Sequence, residues 1–503
     1  MNLPAPVEHE RVFLDDEIDD NIYIQFWFNK TTDKTKPDEW KIDHRLYNEY
    51  LKSTGLRRFG SDDNFIFIKI KQGVIYIVTI TQIIDQVLEY IKNLDESNLN
   101  GIPVEVLESK FYSSPSTYFN RIKMSLIGED KNLSINSDDK DSGYIYFSNC
   151  FVKCTSEGYE AYEYNKLPGY VFHNQIKNRK FKKASPEGMF KEFVFNISGK
   201  NNQRFNALKT MIGYLLHSFY ETKMKAVNLT DSMISENAEG RTGKTLLGRA
   251  ISHIKNVCEI SGKDFDPSNK HKYQTAKIDS QIIFLNDLKK KFDFESLFND
   301  ISDAISIERK NMQPITIQAK MLIAANDTFR VEGASAQDRV IEFELANHYN
   351  VSFSPENEFG VWFFRDWDSN EWSKFDNFMM SCLSLYLKNG VLEADPINLD
   401  KRKQLQVTNR DFMEFMEKEI KEGIIVRRGN EFDKRELHTK FIQEYPEYKE
   451  RHFLNRTSNF IVWLKAYAAH SPELRGDIAE RPSNGKYLIC FKKEEDQQNE
   501  LPF

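Results

Sequence analysis

The stretch Ile234–Ile251 reads ISENAEGRTGKTLLGRAI. Its middle, AEGRTGKT, places Ala238, Glu239, Gly240, Arg241, Thr242, Gly243, Lys244 and Thr245 at the spacing of a phosphate-binding loop, with alanine where the first glycine usually stands. Each residue type has a task in that pattern. Backbone N–H groups around Gly240 to Lys244 wrap a β-phosphate, the Lys244 ammonium neutralises the β- and γ-oxygens, and the Thr245 hydroxyl ligates Mg2+. The apolar run MKAVNLTD before the loop has strand character, and TLLGRAISHI after it has helical spacing. Strand, glycine-rich loop and helix in that order are the context that separates a working phosphate cradle from a chance match.

Further apolar runs continue the alternation. QIIFLND ends in Asn286 and Asp287, AKMLIAAND ends in Asn326 and Asp327, and RVIEFEL begins at Arg339. Short apolar strands interleaved with helices predict an α/β fold with a parallel nucleotide-binding sheet. An acid at the end of a neighbouring strand can hold a hydrated metal or polarise water, which assigns Asp287 to catalysis and to the metal alongside Thr245. Asn326 is an uncharged amide that can orient the attacking water without repelling phosphate. Arg339 offers a guanidinium for transition-state charge.

In order, AEGRTGKT, IIFLND, SDAISIERKNMQPITIQ and MLIAAND, with Arg339 following, resemble the motifs of superfamily 3 helicases, the AAA+ type ring motors of DNA viruses, phages and mobile elements. The segment FDFESLFNDISDAISIERKNMQPITIQAKMLIAANDT is similar to the phage and poxvirus primase-helicase branch, as are EFGVWFFRDWDSNEWSKFDNFM downstream and YIYFSNCFVKCTSEGYEAYEYN upstream. The resemblance covers roughly residues 140 to 395. It implies a P-loop AAA+ type ATPase core that uses ATP and Mg2+, a sensor role for Asn326, and a role for Arg339 on a neighbouring subunit's ATP. It also implies a hairpin, built from SDAISIERKNMQPITIQ, that enters a ring pore; Arg309 and Lys310 are its candidate DNA contacts. One departure stands out: the family usually has two adjacent acids where this chain has Asn286 before Asp287.

Outside that core, the pattern predicts a small α+β module over residues 1–105, a second small module over 106–200, the ATPase over 201–397 and a winged-helix-like domain over 398–503. NLDKRKQLQ reads as a polar linker. The terminal pattern is RDFMEFMEKEI as helix, IIVRR as strand, two further helices and a hairpin turning at Asn484 and Gly485. Arg456, Lys465, Arg481 and Lys486 are its candidate phosphate contacts. Aromatic-rich WFFRDW and EWSKFDNF, with Trp362, Trp367 and Trp372, suit packing against the sheet better than base stacking.

Composition limits the alternatives. With 69 basic and 76 acidic residues in 503, for a net charge of -7, any DNA contact is local rather than a general coat. Five scattered cysteines make neither a disulfide framework nor a zinc site, and no apolar run is long enough to cross a membrane, so a cytoplasmic setting is expected. The acidic clusters FLDDEIDD and SDDKDS lack the strand-borne alternation of a primase, so primer synthesis is assigned to a separate polypeptide or is absent. The expected function is an ATP-dependent, ring-forming replicative helicase. It would act on single-stranded or forked DNA as a homo-oligomer, a hexamer by family resemblance. The alternative is an ATP-switched replication initiator or loader with little unwinding.

Overall fold

The computed structural model describes residues 23–32, 35–60, 65–129, 133–220, 224–233, 241–289, 292–310, 314–325, 338–421, 432–449, 453–471, 478–483 and 486–491. The first three of these ranges hold β1 (Trp27–Asn29), β2 (Trp40–Ile42), β3 (Arg57–Phe59), β4 (Ile66–Lys71) and β5 (Val74–Val78). β4 and β5 pair antiparallel across Gln72 and Gly73, both at positive φ. Helix α1 (His44–Ser53) starts on an Asp43 cap, α2 (Ile80–Lys92) on a Thr79–Gln82 capping box, and α3 (Val104–Ser113) follows. One apolar cluster, from Phe26 through Tyr50, Val87 and Phe111 to Ile127, holds these elements together and runs past the boundary expected at residue 105.

The second unit is the meander β6 (Ser142–Phe147), β7 (Cys150–Thr155) and β8 (Gly158–Tyr162). After it, β9 (Val171–Phe172) joins β5 in parallel, and β10 (Ile176–Lys177) joins β6, so the chain stitches the first two sheets in passing. Ile145, Phe147, Val152 and Cys154 are buried in the same cluster as the central sheet, which makes this unit a buttress of the core. Helices α4 (Met189–Ile197) and α5 (Asn202–Leu216) lead into that core, and α5 buries Phe205, Leu208, Ile212 and Leu215.

The central sheet contains β11 (Ala226–Asp231), β12 (Val257–Ser261), β13 (Ile282–Leu288), β16 (Lys320–Ala325) and β17 (Val340–Leu345), in the order β12-β13-β16-β11-β17, all parallel. Between β13 and β16 the chain folds as an antiparallel hairpin, β14 (Ile305–Ile307) against β15 (Ile315–Ile317). The hairpin arises because Ile305, Ile307 and Ile317 alternate inward while Ser306 and Thr316 face out. Phe284, Ile283, Leu322 and Ile323 are essentially fully buried, each worth about 1.5–3 kcal/mol of burial. Two-sided burial explains why these strands read as continuous apolar runs.

Helix α6 (Lys244–Ser252) crosses this sheet at unusually short range. Its Gly248 lies against the Phe284 ring so closely that a Cβ there would stand 2.4 Å from a ring carbon. On another side of the core, α7 (Ser369–Asn389) buries Phe375, Phe378, Met379 and Leu383. Trp367 and Trp372 pack with Phe364 and Phe375, and the Arg179 guanidinium sits 4.6 Å from the Trp372 ring while bonding the buried Asp376 carboxylate. These aromatics are packing elements, whereas Trp362 remains 58% exposed.

NLDKRKQLQ is not a linker: Leu399–Val407 forms helix α8. Its polar side chains are tied down on both sides, Lys403 by Glu342 of β17 at 3.0 Å and Gln404 by the Tyr467 carbonyl at 3.1 Å, so tertiary contacts override a weak local pattern. Then come α9 (Arg410–Lys421), β18 (Phe432–Asp433), α10 (Lys434–Glu444), α11 (Thr457–Ala469), β19 (Ile478–Ser483) and β20 (Lys486–Phe491), around Phe412, Phe441, Phe460 and Leu464. β18, β20 and β19 make a three-stranded antiparallel sheet. The IIVRR run and the Asn484–Gly485 turn lie outside the described residues. Among the described residues, no helix is long and apolar enough to cross a membrane.

The helix-to-sheet distance is testable. Gly248→Ala should cost about 1–3 kcal/mol in denaturant unfolding, since the added methyl has to displace the Phe284 ring in a packed core. An unchanged midpoint would mean that α6 sits farther from β13.

Candidate active site

In an open parallel sheet the carboxyl ends of the strands are where ligands gather, because loops and helix N-termini meet there. Here β11 ends at Asp231, β13 at Asn286, Asp287 and Leu288, and the start of α6 faces them. Ala238, Glu239 and Gly240 lie outside the described residues; Arg241 to Thr245 are described. Arg241 and Gly243 both have left-handed backbones, with φ of 66° and 109°. At Gly243 a Cβ would come 2.8 Å from the Phe193 ring of α4, so glycine meets a torsional and a steric demand at once.

The charged groups are paired closely. Lys244 Nζ lies 2.5 Å from Asp231 Oδ1, and the Thr242 hydroxyl donates to the same oxygen. The Lys244 and Asp231 side chains are only 11% and 7% exposed, which makes this a largely desolvated ion pair. Thr245 Oγ1 donates to Asn286 Oδ1 at 3.1 Å, and Asn286 Nδ2 donates to Glu259 Oε1 at 2.7 Å. Glu259 is on β12, whose Ser261 is in register with Asn286.

Asp287 faces elsewhere. The β13–β16 register shifts between Asn286 and Leu288, and Asp287 takes a left-handed φ of 61° in that bulge. For a residue with a Cβ this conformation costs about 1–2 kcal/mol, and such positions cluster where geometry serves function. Its carboxylate is 2.8 Å from Lys263 Nζ, and this hydrogen bond holds Lys263 above the ordinary lysine value. So the amide of Asn286 is turned to Thr245, and the carboxylate of Asp287 to Lys263.

The remaining candidates are spread over the molecule. Asn326 lies outside the described residues; the strand leading to it, β16, ends at Ala325 between β13 and β11. Arg339 precedes β17, at the opposite end of the sheet from Lys244. Its carbonyl accepts from Ala226 N at 2.9 Å, its Nε donates to Ser302 Oγ at 3.0 Å, and its guanidinium lies 5.1 Å from the Phe298 ring centroid. Arg309, two residues past the turn-side end of β14, bonds the Gln274 carbonyl at 3.0 Å and the Ala276 carbonyl, while Lys310 is exposed. Arg456 and Lys465 are exposed at the start and along α11. Arg481 and Lys486 fall on β19 and β20, but their side chains lie outside the described residues.

The donors at Thr245 and Asn286 are a hydroxyl and an amide oxygen, hard groups suited to Mg2+. Among the described residues no group of three His, Cys, Asp or Glu side chains is placed to hold a metal. Asp231, Glu259 and Lys263 are site residues that motif reading missed. Asp231 closes the LTD end of a strand already recognised, which was a usable signal; Glu259 sits in the short run VCEIS, which carries none.

No family model matches the chain, and no curated protein matches it. Among solved structures, the A-form apo structure of the NrS-1 C-terminal region is 12% identical, with a TM-score of 0.36, covering 89% of this chain and 98% of that one. A second apo structure of the same region, residues 305–718, is 11% identical with a TM-score of 0.35, covering 90% and 100%. At that level the likeness carries no argument about function.

The buried pair makes a prediction of its own. Asp231→Asn should lose about 3 kcal/mol of stability in denaturant melts, because the enclosed Lys244 ammonium loses its counter-charge. A melt indistinguishable from the parent would show that the pair is not maintained in solution.

Proposed function

We propose that the chain is an ATPase and works as a ring-forming replicative DNA helicase of a phage or mobile element, built on a P-loop AAA+ type core. The observation that carries this reading is the Thr245–Asn286 hydrogen bond. It joins the residue after the loop lysine to the polar end of a strand two places away in the sheet, with the strand leading to Asn326 between them. The motif order that resembles superfamily 3 supports the same reading.

In this proposal Lys244 leaves Asp231 for the β- and γ-phosphates of ATP, and the backbone from Ala238 to Thr245 wraps the β-phosphate. Asp287 polarises the attacking water, and Asn326 orients it. Mg2+, when bound beside Thr245, neutralises phosphate charge. Arg339 sits at the far end of its own sheet, which suits a guanidinium that acts on a neighbouring subunit's ATP and so requires a homo-oligomer, with a hexamer as the proposed ring. Lys310, exposed where the β14–β15 hairpin turns, would touch the DNA backbone in the pore, with Arg309 holding the hairpin in place. The carboxy-terminal helices and three-stranded sheet serve as a winged-helix-like accessory domain, and primer synthesis belongs to a separate polypeptide or is absent.

One observation favours a second reading. An amide, Asn286, rather than an acid faces Thr245, which suits a slow ATPase that uses ATP as an assembly switch in an initiator or loader. ATP-dependent unwinding of a forked duplex supports the motor; duplex binding that depends on ATP without unwinding supports the switch.

Two variants separate binding from chemistry. Lys244→Ala should abolish binding of a fluorescent ATP analogue and hydrolysis together. Asp287→Asn should bind the analogue within about threefold of the parent while hydrolysis falls on the order of 100-fold. ATP turnover at the parent rate in Lys244→Ala would refute the ATPase reading.

A further inference from the structure

The charges around the loop are unevenly balanced. Lys244 is neutralised by Asp231 at 2.5 Å, and Asp287 by Lys263 at 2.8 Å. Glu259 is different: its carboxylate accepts from Asn286 at 2.7 Å, and among the described residues no lysine or arginine pairs with it. It is also exposed at the open edge of the sheet, where β12 is the last strand. Among the described residues of the site, Glu259 is therefore a carboxylate with an amide and no ion-paired cation beside it, one strand outward from the place where the motif leads one to look for an acid.

An amide has two unlike ends, and Glu259 determines which end faces the loop. Because Nδ2 donates to the carboxylate, Oδ1 must point the other way, to Thr245. The charge-assisted bond also draws electron density towards Oδ1, making that oxygen a better partner for a cation than an isolated amide. An aspartate at position 286 would place two carboxylates side by side with Glu259. The two residues are thus complementary: the charge absent from position 286 is present at position 259.

We propose that Glu259 is the positioning residue for the divalent cation of this site, supplying through Asn286 the negative charge that Asn286 itself lacks. The proposal rests on the ATP-site reading above and deepens it. It makes Asn286 a working part of the site rather than a defect. It also predicts that the metal requirement of nucleotide binding depends on a residue outside every motif in the chain.

The test measures the Mg2+ dependence of binding of a fluorescent ATP analogue to the full chain, without reference to turnover. Glu259→Gln should raise the Mg2+ concentration for half-maximal binding by about tenfold, in the range for groups that orient metal ligands, with affinity in EDTA unchanged. Glu259→Gln combined with Asn286→Asp moves the charge back to β13 and should restore the Mg2+ requirement to within about threefold of the parent. A merely structural hydrogen bond predicts no such rescue. Thermal melts of both variants accompany the titrations, and Glu259 is an exposed edge-strand residue whose substitution should leave them unchanged. An unshifted Mg2+ requirement in Glu259→Gln, or no recovery in the double variant, would overturn the proposal. A parent chain that binds no analogue in either Mg2+ or EDTA would instead overturn the ATP-site reading beneath it.

Discussion

The arrangement at the carboxyl ends of the strands depends on how closely α6 lies on β13. Gly248 has the Phe284 ring directly against it, and this close approach brings the first turn of α6 within hydrogen-bond range of Asn286. A larger residue would lift the helix, and Thr245 would lose its partner before the loop lost its shape. The contact is affordable only because the strands beneath are buried on both faces, so displacing the ring means disturbing Phe284, Leu322 and their neighbours together. Packing thus comes first here, and the polar geometry is built on it.

Electrostatics then pairs the charges at these strand ends. The Lys244 ammonium is held by Asp231 and the Asp287 carboxylate by Lys263. On the ATP-site reading proposed above, a phosphate competes with Asp231 for Lys244, and Asp287 exchanges Lys263 for water before acting on it. Arg339, at the other end of the sheet, has its Nε on Ser302 Oγ and its guanidinium over the Phe298 ring.

What was legible in the sequence follows from how strongly each residue's neighbours constrain it. The runs that became β13 and β16 are apolar and largely buried on both faces, so their pattern is dense; β17, at the sheet edge, shows only alternation, with Ile341, Phe343 and Leu345 buried. The hairpin was expected only through the resemblance of SDAISIERKNMQPITIQ to a known motif; the alternating isoleucines account for it once it is seen. β12 was missed because an edge strand of five residues, with Glu259 and Ser261 exposed, has too little apolar pattern to detect, and Glu259 was missed with it. The helix Leu399–Val407 was read as a linker because its order comes from Glu342 and Tyr467, distant in sequence. Arg309 looked like a free cation on a turn, but its guanidinium serves the carbonyls of Gln274 and Ala276. Side-chain direction at Asn286 and Asp287 was equally hidden, since it depends on a bulge and a positive φ that no local motif specifies.

The most direct measurement is a structure of the full chain with a non-hydrolysable ATP analogue, Mg2+ and forked DNA. If the loop is an ATP site in a ring motor, Lys244 will have left Asp231 for the γ-phosphate, Asn286 will face the metal side of Thr245, and Arg339 of an adjacent copy will approach the same nucleotide. A nucleotide bound away from Lys244, or a monomer with Lys244 still on Asp231, would contradict it.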